Sequence, residues 1–255
     1  MKKIFPALFF SLALVLSTSV YADVLEGCRE HVKYGAPSLE PVLLCRLGYA
    51  FSHDADHKVP DWVAYHLTRD KILGTYPRSN NFRPDPDLPR GERAELKDYR
   101  RSGYDRGHMA PAAAMKWDQL AMSESFLLSN VAPQIGIGFN RGIWRVLEKK
   151  VRDWTTQRGE LYVVTGPIYA WNEIETIGPD QVAIPTHFYK VIFDPVRIEA
   201  IAFILPNQKL SSDDLPTFIV SVNQVEAETG LDFFPKIEDS VEDLVEARVQ
   251  EGLWQ

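Results

Sequence analysis

The sequence predicts an α+β fold built on a mixed, mainly antiparallel sheet with packed helices. Three observations lead there. Strand-like and helix-like segments are mixed without a regular βαβ alternation. Two apolar runs, Phe188 to Phe193 and Ile198 to Leu205, flank Asp194-Pro195 as the arms of a hairpin. Arg141 to Thr155 places Ile143, Val146, Leu147, Val151 and Trp154 at helical spacing on one face. In chain order, the turn-like Val59-Pro60-Asp61 precedes a strand over Trp62 to Leu67, rich in aromatic and β-branched residues. Asn80 to Glu92, rich in Pro, Asp and Gly, reads as a long surface loop. A short helical piece is expected to start at Glu124 to Leu128, and a buried strand over Glu160 to Val164 should end at Gly166-Pro167. Ser221 to Gln224 reads as a capping box opening a helix that Gly230 ends. No repeat or low-complexity tract interrupts the pattern.

The chain opens with Lys2 and Lys3, then an apolar run from Ile4 to Leu16 broken only by Pro6 and Ser11. Val20-Tyr21-Ala22 supplies small residues where a signal peptidase reads. Residues 1–22 are therefore expected to be a cleaved signal peptide and residues 23–255 a single domain, exported to the periplasm or beyond the cell. No segment reaches the roughly 18 apolar residues of a membrane span, so no stable membrane association is expected. Leu25-Glu26-Gly27-Cys28 is a poor lipoprotein box because of its acidic neighbours. The only cysteines, Cys28 and Cys45, are expected to form one disulfide. Closing a loop of about 17 residues, it would contribute on the order of 3 kcal/mol.

Net charge is −7, and −9 without Lys2 and Lys3, which argues at first against a polyanionic partner. The distribution matters more. Beyond Asp213 the acids far outnumber Lys236 and Arg248. Between Arg141 and Arg158 six basic residues meet only Glu148 and Asp153, so a locally basic face is available on an acidic protein.

The stretch Gly103-Tyr104-Asp105-Arg106-Gly107-His108-Met109-Ala110-Pro111 carries the chemistry. Arg106 and His108, two residues apart, share a face of an extended segment. Gly107 is expected to let the backbone pass close to a bulky substrate. A guanidinium that holds phosphate beside an imidazole that can deprotonate water suits phosphodiester cleavage. Ser129-Asn130-Val131-Ala132-Pro133-Gln134 follows, then Phe139-Asn140-Arg141-Gly142-Ile143-Trp144 and Leu147-Glu148.

Together these strings resemble the non-specific DNA/RNA endonuclease family over roughly residues 62–239, a family with a DRGH signature and a ββα-metal active site. The resemblance implies His108 as general base, Asn140 as the direct protein ligand of Mg²⁺ (with Mn²⁺ able to substitute), and Glu148 holding the hydrated ion. It implies Asn130 as a supporting residue, Arg106 beside the phosphate, and DNA and RNA cut to 5′-phosphorylated products. A further phosphate-binding arginine is Arg78 or its neighbour Arg83. The helix geometry agrees with this division. Eight residues put Asn140 and Glu148 about 12 Å apart along a regular helix and roughly 80° apart around it, so shared direct ligation is disfavoured. One neutral amide suits magnesium, which keeps its waters, better than zinc.

Plainer roles stand beside these. His108 could be a hydrogen-bonded structural histidine, Asn140 a helix cap, and Glu148 a partner of Arg145 or Lys149 on a solvated face. Asp105 is expected to position Arg106 or the local backbone. His53 and His57, with Asp54 and Asp56, read as a polar surface loop, and His31, His66 and His187 have no assigned role. Two other functions fit parts of the pattern: a nucleic-acid-binding protein without catalysis, and a phosphodiesterase of small nucleotides. Oligomeric state is not legible.

Overall fold

A computed structural model describes residues 27–39, 42–170 and 174–255. The expected leader, with Val20-Tyr21-Ala22, lies outside the described residues.

The chain forms β1 (Leu43–Cys45), β2 (Ala50–Asp54), β3 (Val59–Thr68), a single turn α1 (Arg69–Ile72), a second α2 (Leu96–Tyr99), β4 (Tyr104–His108), α3 (Gln119–Glu124) and β5 (Val131–Ile135). A distorted turn over Gly136–Trp144 leads into α4 (Arg145–Arg158). Then come β6 (Glu160–Ile168), β7 (Thr176–Ile177), β8 (Val182–Ala183), β9 (His187–Asp194), β10 (Glu199–Pro206), β11 (Ile219–Val220), α5 (Val222–Thr229) and α6 (Asp239–Ala247). Seven strands make one sheet in the order β1-β2-β3-β6-β9-β10-β11, antiparallel at every pairing. Two-stranded ribbons β4-β5 and β7-β8 stand apart from it.

Strand alternation divides the core in two. From β3, Val63, Tyr65 and Leu67 enter one cluster, while Trp62 and Ala64 enter the other. In β9 Phe188 and Ile192 point to the first cluster and Tyr189, Val191 and Phe193 to the second. The first face is covered by the β4-β5 ribbon and by α4, through Leu147, Val151 and Trp154. The second is covered by α5, α6 and the N-terminal segment, through Val222, Val225, Val245 and Cys28. Cys28 and Cys45 are disulfide-bonded, with Cα atoms 5.4 Å apart, tying that segment to β1.

Local differences from the sequence reading have clear causes. The helix expected to begin at Glu124 ends there instead, because Asp118 caps it with its carboxylate on the Leu120 and Ala121 amides. Strand β6 continues through Pro167 to Ile168 because pairing with β3 stops at Thr165, so the missing N–H faces no partner. The loop after Asn80 is pinned by Asp85, fully buried, which accepts from Arg46 at 2.6 and 2.7 Å and from the Ser129 hydroxyl. Ser221 caps α5 on the Gln224 amide, and Gly230 ends it at φ 71°.

Candidate active site

The site is built from two strands and a helix. In the β4-β5 ribbon His108 pairs with Val131 and Arg106 with Pro133, and Tyr104, Arg106 and His108 fall at alternate positions of β4. Gly107 is needed for a different reason than the one expected. A Cβ there would sit 2.1 Å from the Gln134 side chain, so the glycine admits Gln134 beneath the ribbon rather than a substrate above it. His108 is 8% exposed and lies between two aromatic rings, Phe82 at 5.2 Å and Phe126 at 5.0 Å. Its Nε2 is buried with no hydrogen-bond partner among the described residues, which leaves Nδ1 to meet the cleft.

The same two rings seat the arginines. The Arg106 guanidinium lies 4.2 Å from the Phe82 centroid and that of Arg78 lies 4.8 Å from Phe126, cation–π contacts that hold both beside His108. Arg78 also donates Nε to Asn80 Oδ1 at 2.8 Å. Arg83 is placed otherwise: its Nη1 donates to the Ser123 carbonyl at 2.8 Å and its backbone bridges to Leu127. Of the two alternatives, Arg78 lines the cleft and Arg83 staples the loop to the end of α3.

A cleft of about 360 Å³ is lined by Arg78, Arg106, His108, Asn140, Arg141, Arg145, Glu148 and Arg152, with Pro111, Ala112 and Ala113. Asn140 and Glu148 both line it, and they do not share a regular helix. The Gly136–Trp144 turn contains Gly138 at φ 87° and Gly142 at φ −118°, ψ −114°, so rise and rotation along one cylinder do not apply. Gly138 also packs under Lys209, where a Cβ would lie 2.5 Å from its Cγ. Asn140 donates Nδ2 to Asp105 Oδ2 at 2.9 Å, which fixes the amide and leaves Oδ1 as its acceptor. Asp105 therefore positions Asn140 and, through bonds of 2.8 and 3.1 Å, Arg141, rather than Arg106. Asn130 is fully buried and spends its amide on backbone: Oδ1 accepts from the Ala110 amide, and Nδ2 donates to the carbonyls of Ala110 and Ser125. It clamps the chain just after His108 and does not line the cleft.

Burial, with Arg78 and Arg106 adding to it, pushes the His108 pKa down to about 3, so the ring is neutral well below the pH at which an ordinary histidine charges. Glu148 is half-buried and shares no described ion pair with Arg145 or Lys149; Lys149 binds Asp153 instead. Burial raises its pKa, and Lys190, Arg152 and Arg78 oppose that shift. Lys190 was not singled out by the sequence reading. It sits fully buried in β9 on the cleft-facing side, its Nζ 4.5 Å from the Trp144 ring and without a hydrogen-bond partner among the described residues. Burial lowers its pKa, and the Glu148 carboxylate counters the shift. The available signal was one lysine inside the apolar run Phe188-Tyr189-Lys190-Val191-Ile192-Phe193. Phe82 and Phe126 carried no such signal.

No three His, Cys, Asp or Glu side chains converge on a metal-sized space among the described residues. His57 is bound to Asp54 and His53 to the Glu92 carbonyl. The donors the cleft does present, an oriented amide oxygen and a carboxylate, are hard oxygen ligands, and they fit a hydrated magnesium ion.

Residues 29–240 match the family described as DNA/RNA non-specific endonuclease, starting well before the residues that carried the sequence resemblance. A nuclease of Syncephalastrum racemosum is 38% identical over 247 residues, covering 88% of this chain and 75% of its own length. The mitochondrial nuclease of Saccharomyces cerevisiae is 37% identical over 230 residues, covering 82% and 70%. Among solved structures, that of an EndoG/EndoGI complex superposes with a TM-score of 0.79 at 38% identity, covering 83% of this chain and 92% of the matched one.

Proposed function

The chain belongs to the DNA/RNA non-specific endonuclease family, and from that premise we propose that it hydrolyses phosphodiester bonds of DNA and RNA, with His108 as general base and Asn140 as the protein ligand of Mg²⁺. The observation that carries the reading is the single cleft in which His108, Arg78, Arg106, Asn140 and Glu148 converge. His108, held neutral, takes a proton from the attacking water at Nδ1. Arg106 and Arg78, fixed on aromatic rings, stabilise negative charge as it grows on the phosphate oxygens. Asn140 Oδ1, oriented by Asp105, and the Glu148 carboxylate are the groups that would hold the hydrated ion. When bound, Mg²⁺ supplies charge neutralisation at the phosphate and the departing 3′ oxygen. Asn130 and Asp105 act through their neighbours as positioning residues.

All of these groups address phosphate, which every nucleic acid presents alike, so little base or sugar selectivity is proposed. Export is proposed from residues 1–22, with the Cys28–Cys45 disulfide as independent support for an oxidising destination. Among the described residues no helix is long and apolar enough to cross a membrane. The test is digestion of supercoiled plasmid and of RNA by purified protein with Mg²⁺, Mn²⁺ and EDTA, with Asn140→Ala alongside. Cleavage of both substrates that EDTA abolishes and Asn140→Ala strongly impairs is the expected result. Discrete cut sites, intact RNA, or metal dependence unchanged in Asn140→Ala would overturn the corresponding part.

A further inference from the structure

A second hollow of about 360 Å³ adjoins the cleft, lined by Leu96, Tyr99, Arg100, Tyr104, Asp105 and Arg106. Arg106 is common to both, and the Asp105–Arg141 ion pair spans from one to the other. We propose that this hollow is a subsite for a nucleotide of the substrate strand flanking the scissile phosphate, holding the base against Tyr104 and a neighbouring phosphate on Arg100. The proposal rests on the nuclease reading and extends it from the reacting bond to the strand around it.

Placement is the first argument. Tyr104, Arg106 and His108 stand at alternate positions of one strand, so a single row runs from the catalytic ring past the phosphate-binding arginine to Tyr104. Four residues of strand span about 13 Å, while stacked nucleotides advance about 3.4 Å each, so a substrate strand lying along β4 passes the hollow within a few nucleotides of the scissile bond.

Charge is the second. Asp105, the one acid in the hollow's lining, is committed to Asn140 and Arg141, and the Glu175 carboxylate acts on Tyr104 from outside that lining. No described residue pairs with the exposed Arg100 side chain, and Arg106 leans on a ring rather than on a carboxylate. The lining of the hollow is therefore cationic on balance. Leu96, 44% exposed, and the half-buried Tyr104 add the apolar surface that a base would cover.

Preorganisation is the third. The turn joining α2 to β4 carries Arg101 at φ 60° and Gly103 at φ 87°. Ser102 Oγ donates to the Tyr99 carbonyl at 3.0 Å and accepts from the Tyr104 amide at 3.2 Å. Arg100 and Tyr104 are thus presented at the two ends of a fixed turn. Stacking on an aromatic ring tolerates every base, which accords with an enzyme that reads phosphate.

The experiment measures binding and cleavage of a fluorescein-labelled ten-nucleotide single-stranded DNA by wild type, Arg100→Ala and Tyr104→Leu, beside cleavage of bis(p-nitrophenyl) phosphate, which has no flanking nucleotide. Tyr104→Leu is expected to raise the oligonucleotide KM roughly fivefold to a hundredfold, the range for losing one stacked base. In anisotropy titrations in EDTA, Arg100→Ala should flatten the plot of log affinity against log salt by about 0.7, one phosphate contact to a single strand. The ratio of kcat/KM for the oligonucleotide to that for the small diester should fall in both. Unchanged oligonucleotide KM and salt slope in both variants would overturn the subsite, as would equal losses on the small diester. If wild type cuts neither substrate the nuclease reading fails instead, and the EDTA titrations still decide the subsite: equal binding by all three proteins sinks it.

Discussion

On one face of the central sheet Arg78, Arg106, Arg141, Arg145 and Arg152 gather around His108; on the other, Glu226, Asp232, Glu242, Asp243 and Glu246 gather where α5 meets α6. Both regions crowd like charges, and in both the pKa of a buried group records the strain. His108 is pushed down to about 3, and Glu246 is pushed up to about 8 by burial and by its acidic neighbours. The difference lies in what holds the charges. Of the cleft guanidinia, Arg106 and Arg78 rest on Phe82 and Phe126, Arg141 on Asp105, and Arg152 on the Glu148 carbonyl, and the cleft between them opens to solvent. At α6 the Oε1 atoms of Glu242 and Glu246 are buried without described partners, and only protonation relieves them. Electrostatic strain is thus borne at an open cleft on one face and between packed helices on the other.

The largest effect that would break this comparison is at the base. His108→Ala is expected to lower plasmid cleavage at least about a hundredfold while a thermal melt shows a cooperative fold. Near wild-type cleavage would remove His108 from the chemistry and leave it a buried structural ring.

Asp105 sharpens the comparison at the next level. Asp105→Ala frees the Asn140 amide and the Arg141 guanidinium together, so the Mg²⁺ concentration for half-maximal rate should rise about 10- to 100-fold, the usual cost of losing a group that orients a ligand. Activity should recover in part at high Mg²⁺. A loss that Mg²⁺ cannot recover would place Asp105 elsewhere in the reaction.

Lys190 should give a smaller effect. Lys190→Met keeps the bulk against Trp144 but removes the cation coupled to Glu148, so the Glu148 pKa should rise further. The acidic limb of the pH–rate profile is expected to move to higher pH, with kcat at its plateau reduced less than tenfold. An unmoved limb would mean that Lys190 serves packing alone.

These residues also mark how far the sequence could be read. Arg106 and His108 stood out by residue type and spacing, Asn140 and Glu148 by the strings that resemble the family, and all four line one cleft; the antiparallel sheet was legible because strand periodicity survives into the fold. That Asn140 and Glu148 serve one site was implied by the resemblance; what was not legible is the backbone that brings both to it, a wide turn whose kinks at Gly138 and Gly142 break the helical arithmetic. The choice between Arg78 and Arg83 was open because both lie in one irregular loop, and only packing on Phe126 separates them. Lys190 and the hollow around Tyr104 depend on which face of a strand meets which element, a tertiary fact that no local pattern carries.

The smallest expected effect tests the other face of the sheet, through the sign of its pH dependence. A glutamate whose folded pKa lies near 8 and whose unfolded pKa lies near 4.5 adds no penalty below pH 4.5, where it is protonated in both states. As pH climbs from 4.5 to 8 the unfolded chain binds fewer protons than the native one, and stability falls. His108 acts in the opposite sense. Its folded pKa near 3 is below its unfolded value of 6.5, so its contribution is present above 6.5 and is lost as pH falls toward 3. Between about pH 4.5 and 6.5 His108 and Glu246 therefore oppose each other, and above 6.5 Glu246 still responds while His108 does not. Glu246→Gln supplies permanently the neutral form that the native state prefers. It should raise Tm at pH 8 by about 2–4 °C, the shift that roughly 1 kcal/mol gives a domain of this size, and leave Tm at pH 4.5 nearly unchanged. Plasmid cleavage should not change, because the substitution lies across the sheet from the cleft. A Tm gain equal at both pH values would mean that packing, not charge, governs this corner, and a drop at pH 8 would mean that the Glu246 carboxylate is ionised there with a partner that stabilises it.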